Sequence, residues 1–161
     1  MGQELPELIA TVDIENELGE GVVWNEQTAS VWWTDIERSK LFEYQYGSGR
    51  LNSWDTPYRV GCFGFIENDD RLIVAFDCGI AFLDLPSGNI DWLYGPTVLA
   101  DGLRFNDGKI DPFGRFWAGT MVEDPSVANK SGSLFSICPH QAPIEHISDI
   151  TTSNGLCWSF D

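Results

Sequence analysis

Apolar residues in this chain come in short bursts separated by turn residues, and no segment shows the spacing of an amphipathic helix. GVVWN (21–25), VWWTDI (31–36), LFEYQY (41–46) and RLNSWD (50–55) each read as a strand, with EQTAS, ERSK and GSG between them. The pattern restarts with CFGFIE (62–67), RLIVAF (71–76), IAFLDL (80–85) and IDWLYG (90–95), broken by NDD, DCG and PSGN. It restarts again with FNDGKID (105–111), RFWAGTM (115–121), a longer connection at 123–132, SLFSI (133–137) and a weaker strand near 144–148. NGLCWSF (154–160) opens a fourth round, and residues 1–11 read as a partly extended lead-in. Four strands per unit at a period of about 45 residues predicts the blades of a β-propeller. A β-sandwich also strings short strands together, but it does not require one pattern to restart at nearly fixed spacing. The expectation is an all-β, single partial propeller domain of about three and a half blades. Blade 1 spans about 12–57, blade 2 about 58–99, blade 3 about 100–150 and the start of blade 4 about 151–161.

Residues 104–120, RFNDGKIDPFGRFWAGT, carry more polar groups than a hairpin needs. Asp111-Pro112-Phe113-Gly114 has the residue order of a type I turn. Arg104, Asn106 and Asp107 stand where a core strand would place Val or Ile. Aligned on their first turns, the rounds put Trp24, Ile66, Ile110 and Trp158 at the end of each first strand, with Glu20, Cys62, Asn106 and Asn154 four residues earlier. First strands line a propeller's central channel, so equivalent positions converge near the axis. Glu20, Asn106 and Asn154 offer oxygen, the donor type that hard divalent cations take. Arg104, two residues before Asn106, shares its face of an extended segment. Taken singly, Asn154 before Gly155 is an ordinary turn pair, and Glu20 between two glycines is a solvated turn carboxylate. NDGKID is no EF-hand, because Leu103 and Phe105 would fill its first and third positions.

Composition narrows the classes. Of 161 residues, 43% are hydrophobic and 21% charged, which suits a globular chain with a core. A formal net charge of −16 argues against nucleic acid or an anionic membrane as partner. No apolar segment approaches the roughly 18 residues of a membrane span. No basic region followed by an apolar run marks a signal peptide, so a cytoplasmic protein is expected. Cys62, Cys78, Cys138 and Cys157 form no C-x-x-C pair and lie in or beside apolar runs, as buried structural thiols do. His140 and His146 lie in no motif, and no G-x-S-x-G, G-x-G-x-x-G or Walker loop occurs.

GEGVVW, RFNDGKIDPFGRFWAGTM and SNGLCWS resemble the signature segments of the SMP-30/gluconolactonase/regucalcin-like family, in the right order and spacing. The resemblance implies a six-bladed propeller that binds one divalent metal (calcium, zinc, manganese or magnesium) and hydrolyses sugar lactones. It implies metal ligands at Glu20 and Asn154, and substrate contacts at Arg104 and Asn106. A further acidic substrate contact falls on Asp124 by ungapped counting, with Glu123 as the alternative. The family's third ligand, an Asp that is also the acid/base, has no match before residue 161, and no catalytic residue is assigned. Cys62 supplies no hard oxygen, so its blade is expected to contribute packing only. The expectation is thus an N-terminal portion of a metal-dependent lactonase, inactive alone and with open blade faces available for self-association. A non-catalytic calcium- or small-ligand-binding propeller, or an interaction scaffold, is the alternative.

Overall fold

A computed structural model of the chain describes residues 7–96, 99–139 and 141–159. These residues contain strands and no helix. Three four-stranded antiparallel sheets follow one another along the chain. The first holds β1 (Gly19–Asn25), β2 (Ser30–Asp35), β3 (Lys40–Gln45) and β4 (Arg50–Asp55). The second holds β5 (Val60–Ile66), β6 (Asp69–Phe76), β7 (Gly79–Asp84) and β8 (Asn89–Tyr94). The third holds β9 (Leu103–Ile110), β10 (Phe116–Val122), β11 (Gly132–Ile137) and β12 (Ile144–Ile150). Each sheet is a meander in sequence order, and the first strands of successive sheets pack side by side, β1 on β5 and β5 on β9. This is blade architecture, not a sandwich.

Burial follows each strand's place. β5 lies between β1 and β9 and is buried over Val60–Gly64, so it reads as a continuous apolar run rather than an alternating one. The outer strands β4, β8 and β12 carry most of the exposed positions. β6 feeds two cores through the strand's period of two. Leu72, Val74 and Phe76 join Trp32, Leu41, Val60 and Phe63 between the first and second sheets. Ile73 and Ala75 join Cys62, Phe105, Phe116 and Ile137 between the second and third. Trp32 and Trp54 stack with centroids 5.1 Å apart inside the first core.

Several boundaries differ from the sequence expectation. β1 begins at Gly19, with a bulge between Glu20 and Val23 where Gly21 takes φ 63°. The weak strand near 144–148 is a full strand, because it pairs with β11. Residues 154–158 form no strand. Past a single bridge between Met121 and Thr152, the chain to Ser159 has no ladder partner and is held by side chains of β9 instead. No described helix is long and apolar enough to cross a membrane.

Candidate functional site

The site grows from the start of β9. Arg104 is 6% exposed, and its Nη1 donates to the Phe105 carbonyl at 2.9 Å and to Asn106 Oδ1 at 2.8 Å. Asn106 is engaged at both ends, since its Nδ2 donates to the Ser153 carbonyl at 2.9 Å. Its oxygen thus already accepts one hydrogen bond. Asn106 ties Arg104 to the segment after β12. Cys62, at the same aligned position, is 1% exposed and belongs to the core between sheets. Burial, then Asp107, pushes its thiol pKa well up.

The two acidic candidates after β10 part company. Glu123 Oε1 lies 3.2 Å from Arg104 Nε. That Nε has no aligned acceptor, so charge attraction rather than a directed hydrogen bond joins them. Arg59 Nη1 and Nη2 grip the Glu123 carboxylate at 2.7 and 2.9 Å. Arg59 Nε reaches Asp77 Oδ2 at 3.0 Å, and Glu37 lies 3.6 Å from Nη1. The Arg59 hydrogen bonds hold the Glu123 carboxyl below its ordinary range, and Glu123 in turn raises the Arg59 guanidinium. Asp124 turns away and accepts from the Ser126 N–H and hydroxyl at 2.9 and 2.6 Å. Arg59, Asp77, Gly102, Leu103, Arg104 and Glu123 line a cavity of about 270 Å³.

The remaining aligned residues follow the first strands around. A side chain at Gly21 would touch the Gly61 carbonyl, and one at Gly61 would press on the Asn106 carbonyl at 2.5 Å. Asn106 then bonds Ser153. Glu20 and Asn154 are both exposed, and neither side chain is tied to another described residue. Both side chains keep open oxygen atoms, the donor type that hard divalent cations take. A carboxylate and a carboxamide are fewer protein ligands than such sites usually present. Among the described residues no group of three or more His, Cys, Asp or Glu side chains could hold a metal. His146 is spent on Ser136 (2.8 Å) and on the Trp117 ring (centroids 4.4 Å), while His140 lies outside the described residues.

Asp107 takes N–H groups at both oxygens, from Gly108 at 2.8 Å and from Gly155 and Leu156 at 2.6 and 3.2 Å. Asp107 and Glu123 are both engaged by donors, while Asp77, which lines the same cavity as Arg104, keeps its buried Oδ1 without a partner. Residues 18–161 match the family model described as the SMP-30/Gluconolactonase/LRE-like region. The chain belongs to that family. It is 35% identical over 144 residues to the 6-deoxy-6-sulfogluconolactonase of Pseudomonas putida, covering 89% of this chain and 48% of that one. It is 32% identical over 152 residues to the regucalcin of Danio rerio, covering 91% and 49%. A solved luciferin-regenerating enzyme superposes with a TM-score of 0.80 at 26% identity, over 90% of this chain and 50% of the other. The calcium-binding protein regucalcin from Agrobacterium tumefaciens gives a TM-score of 0.73 at 26% identity, covering 84% and 45%. The chain spans about half the length of the curated relatives it matches.

Sequence reasoning singled out Asp107 without a partner for it, and missed Arg59 and Asp77 beside Arg104 and Glu123. The one available signal was scarcity: the chain has 9 basic residues against 25 acidic ones. An Arg just before a first strand therefore called for an explanation.

Proposed function

We propose that this chain contributes the Arg104 side of the active site of a divalent-metal-dependent sugar-lactone hydrolase. The observation that carries the reading is the pairing of a buried Arg104 with Glu123 at the cavity wall. Glu20, on β1, and Asn154, in the segment after β12, are exposed and unpartnered. Relatives that include 6-deoxy-6-sulfogluconolactonase and L-arabinolactonase support the substrate class. Glu20 and Asn154 would hold the cation, which when bound supplies Lewis acidity and an acidified water. Arg104 presents a fixed cationic donor to lactone oxygens, preset by Asn106 and the Phe105 carbonyl. Glu123, kept ionised by Arg59, accepts from sugar hydroxyls. Glu123 takes this role over Asp124, whose carboxylate is used within its own turn. The acid/base Asp implied by the resemblance has no counterpart among these residues.

A second reading, binding of a metal or small ligand without turnover, is favoured by one observation. Asp107, Glu123 and Asp124 each already accept hydrogen bonds from neighbouring donors. The experiment is hydrolysis of aldonolactones, with calcium, zinc, manganese and magnesium in separate arms, by the protein and by Arg104→Ala and Glu20→Gln. Loss of about 10²-fold or more in kcat/KM for Arg104→Ala is expected if that residue contacts the transition state. For Glu20→Gln, a higher metal requirement is expected. Turnover indifferent to both changes overturns the lactonase reading, and metal binding without turnover selects the second one.

A further inference from the structure

We propose that Asp107 and Asp35 are positioning residues that clamp the backbone on which Asn154 and Glu20 are mounted. The proposal rests on the reading of those two residues as metal donors. Asn154 sits in a segment without a sheet partner, yet its backbone is fixed on both sides. Before it, Ser153 is 5% exposed and its carbonyl accepts from Asn106. Ser153 also lies against the bare backbone of Gly119, where any side chain would overlap it. After it, the Asp107 carboxylate takes two successive N–H groups, Gly155 and Leu156.

The other donor repeats the device. Asp35, 0% exposed, accepts the Glu17 and Leu18 N–H groups at 2.9 and 3.0 Å, just before β1. The Ile36 N–H closes the clamp on the Leu18 carbonyl at 2.9 Å. Each donor is followed by a glycine in the left-handed region, Gly21 at φ 63° and Gly155 at φ 74°. The chain therefore turns sharply right after the donor, where a glycine's freedom would otherwise spread the donor over many positions. A carboxylate fastened to a pair of N–H groups beside that turn removes the freedom and leaves the donor side chain exposed and unpartnered. Fixing ligands through their supports is how metal sites gain affinity without added ligands.

A clamp that merely stabilises the fold predicts a different outcome from one that acts through Asn154, and a double-mutant cycle separates them. The measurement is Mn²⁺ binding, read from the electron-spin resonance signal of the free ion, which reports affinities into the millimolar range. It is made on the protein, Asp107→Asn, Asn154→Ala and the double variant, with melting temperatures alongside. Asp107→Asn should weaken Mn²⁺ binding roughly tenfold, and should have almost no further effect in the Asn154→Ala background. Its effect on melting should be the same in both backgrounds. Amide exchange at Gly155 and Leu156 should quicken in Asp107→Asn. The Asp35→Asn and Glu20→Gln pair repeats the cycle; if Asp35→Asn does not fold, the Asp107 cycle decides alone. Equal weakening in both backgrounds, or a lower melting temperature with unchanged affinity, overturns the clamp while sparing the metal reading. Mn²⁺ binding that ignores both Glu20→Gln and Asn154→Ala overturns the metal reading and the clamp with it.

Discussion

At the scale of single residues, the four cysteines separate by environment. All are free thiols: Cys62 is buried, Cys78 and Cys138 are half-buried and Cys157 is exposed. Burial, then Asp77, pushes the Cys78 thiol up to about 11, and burial, then Asp107, also pushes the Cys62 thiol well up. Because the thiolate is the reacting species, iodoacetamide at pH 8 should label Cys157 first and Cys62 last in the native protein, as followed by mass spectrometry. Equal rates at those two positions would contradict the packing of β5 on β9. The expectation of buried structural thiols holds for Cys62 and fails for Cys157, which is exposed. Cys62 is sealed by Gly108 of the next sheet, where an added Cβ would lie 2.5 Å from its sulfur, whereas Cys157 sits on a segment outside any ladder. The sequence left Glu123 and Asp124 open. Strand alternation assigns faces only within a ladder, and both residues lie past the end of β10. Their directions are set by Arg59 and Ser126, one remote in sequence and one local.

At the scale of elements, the hairpin joining β9 to β10 was legible because its turn chemistry is local. Asp111 N–H donates to the Arg115 carbonyl at 2.9 Å, the Gly114 N–H returns to the Asp111 carbonyl at 3.0 Å, and Gly114 takes φ 80°. What the sequence did not disclose is that Asp111 is only 5% exposed. It accepts from the Phe113 and Arg115 N–H groups, Arg115 Nε and Trp117 Nε1. Burial alone would raise its pKa, but these donors, Trp117 foremost, outweigh it and hold the carboxyl at about 2. A folded-state value below the unfolded value of about 4 stabilises the protein fully above pH 4, and that stability is lost as pH falls toward 2. The pH-dependent part amounts to about 2 kcal/mol. Urea unfolding should show the protein more stable than Asp111→Asn at pH 6, with the gap narrowing by about that amount at pH 2. A gap that does not change with pH would mean that the carboxylate is not held as described. The expected strand at 154–158 failed for a complementary reason: its apolar pattern is real, but a ladder needs a neighbouring strand, and Asp107 takes the Gly155 and Leu156 N–H groups.

At the scale of the whole molecule, the repeat of four strands made the blades readable, since turn residues punctuate every strand. Which faces meet was not readable, because RLIVAF is apolar on both sides and only the fold assigns Leu72, Val74 and Phe76 to one core and Ile73 and Ala75 to the other. Nor does a sequence show how near two sheets approach. At Gly61 the two sheets meet backbone to backbone, since an added Cβ would lie 2.5 Å from the Asn106 carbonyl oxygen and 2.9 Å from that of Phe105. Those atoms are backbone and cannot swing aside. β9 is also tethered there by the Phe105 N–H to the Asp77 carbonyl (3.2 Å) and by Asn106 to Ser153. Gly61→Ala should therefore push β9 away from β5 at a cost of about 1–3 kcal/mol, the usual range for overpacking. The displacement would fall on the stretch that carries Arg104 and Asn106, so the Arg104–Glu123 contact should loosen with it. Gly47→Ala is the control: a Cβ there meets nothing within 4 Å and Gly47 does not have positive φ, so its unfolding free energy should stay within about 0.5 kcal/mol of the parent. Denaturant unfolding of the two variants reads the stability difference, and lactone turnover, where present, should fall for Gly61→Ala alone. If Gly61→Ala unfolds like Gly47→Ala, the second and third sheets do not meet backbone to backbone at this point, and the site cannot owe its geometry to that contact.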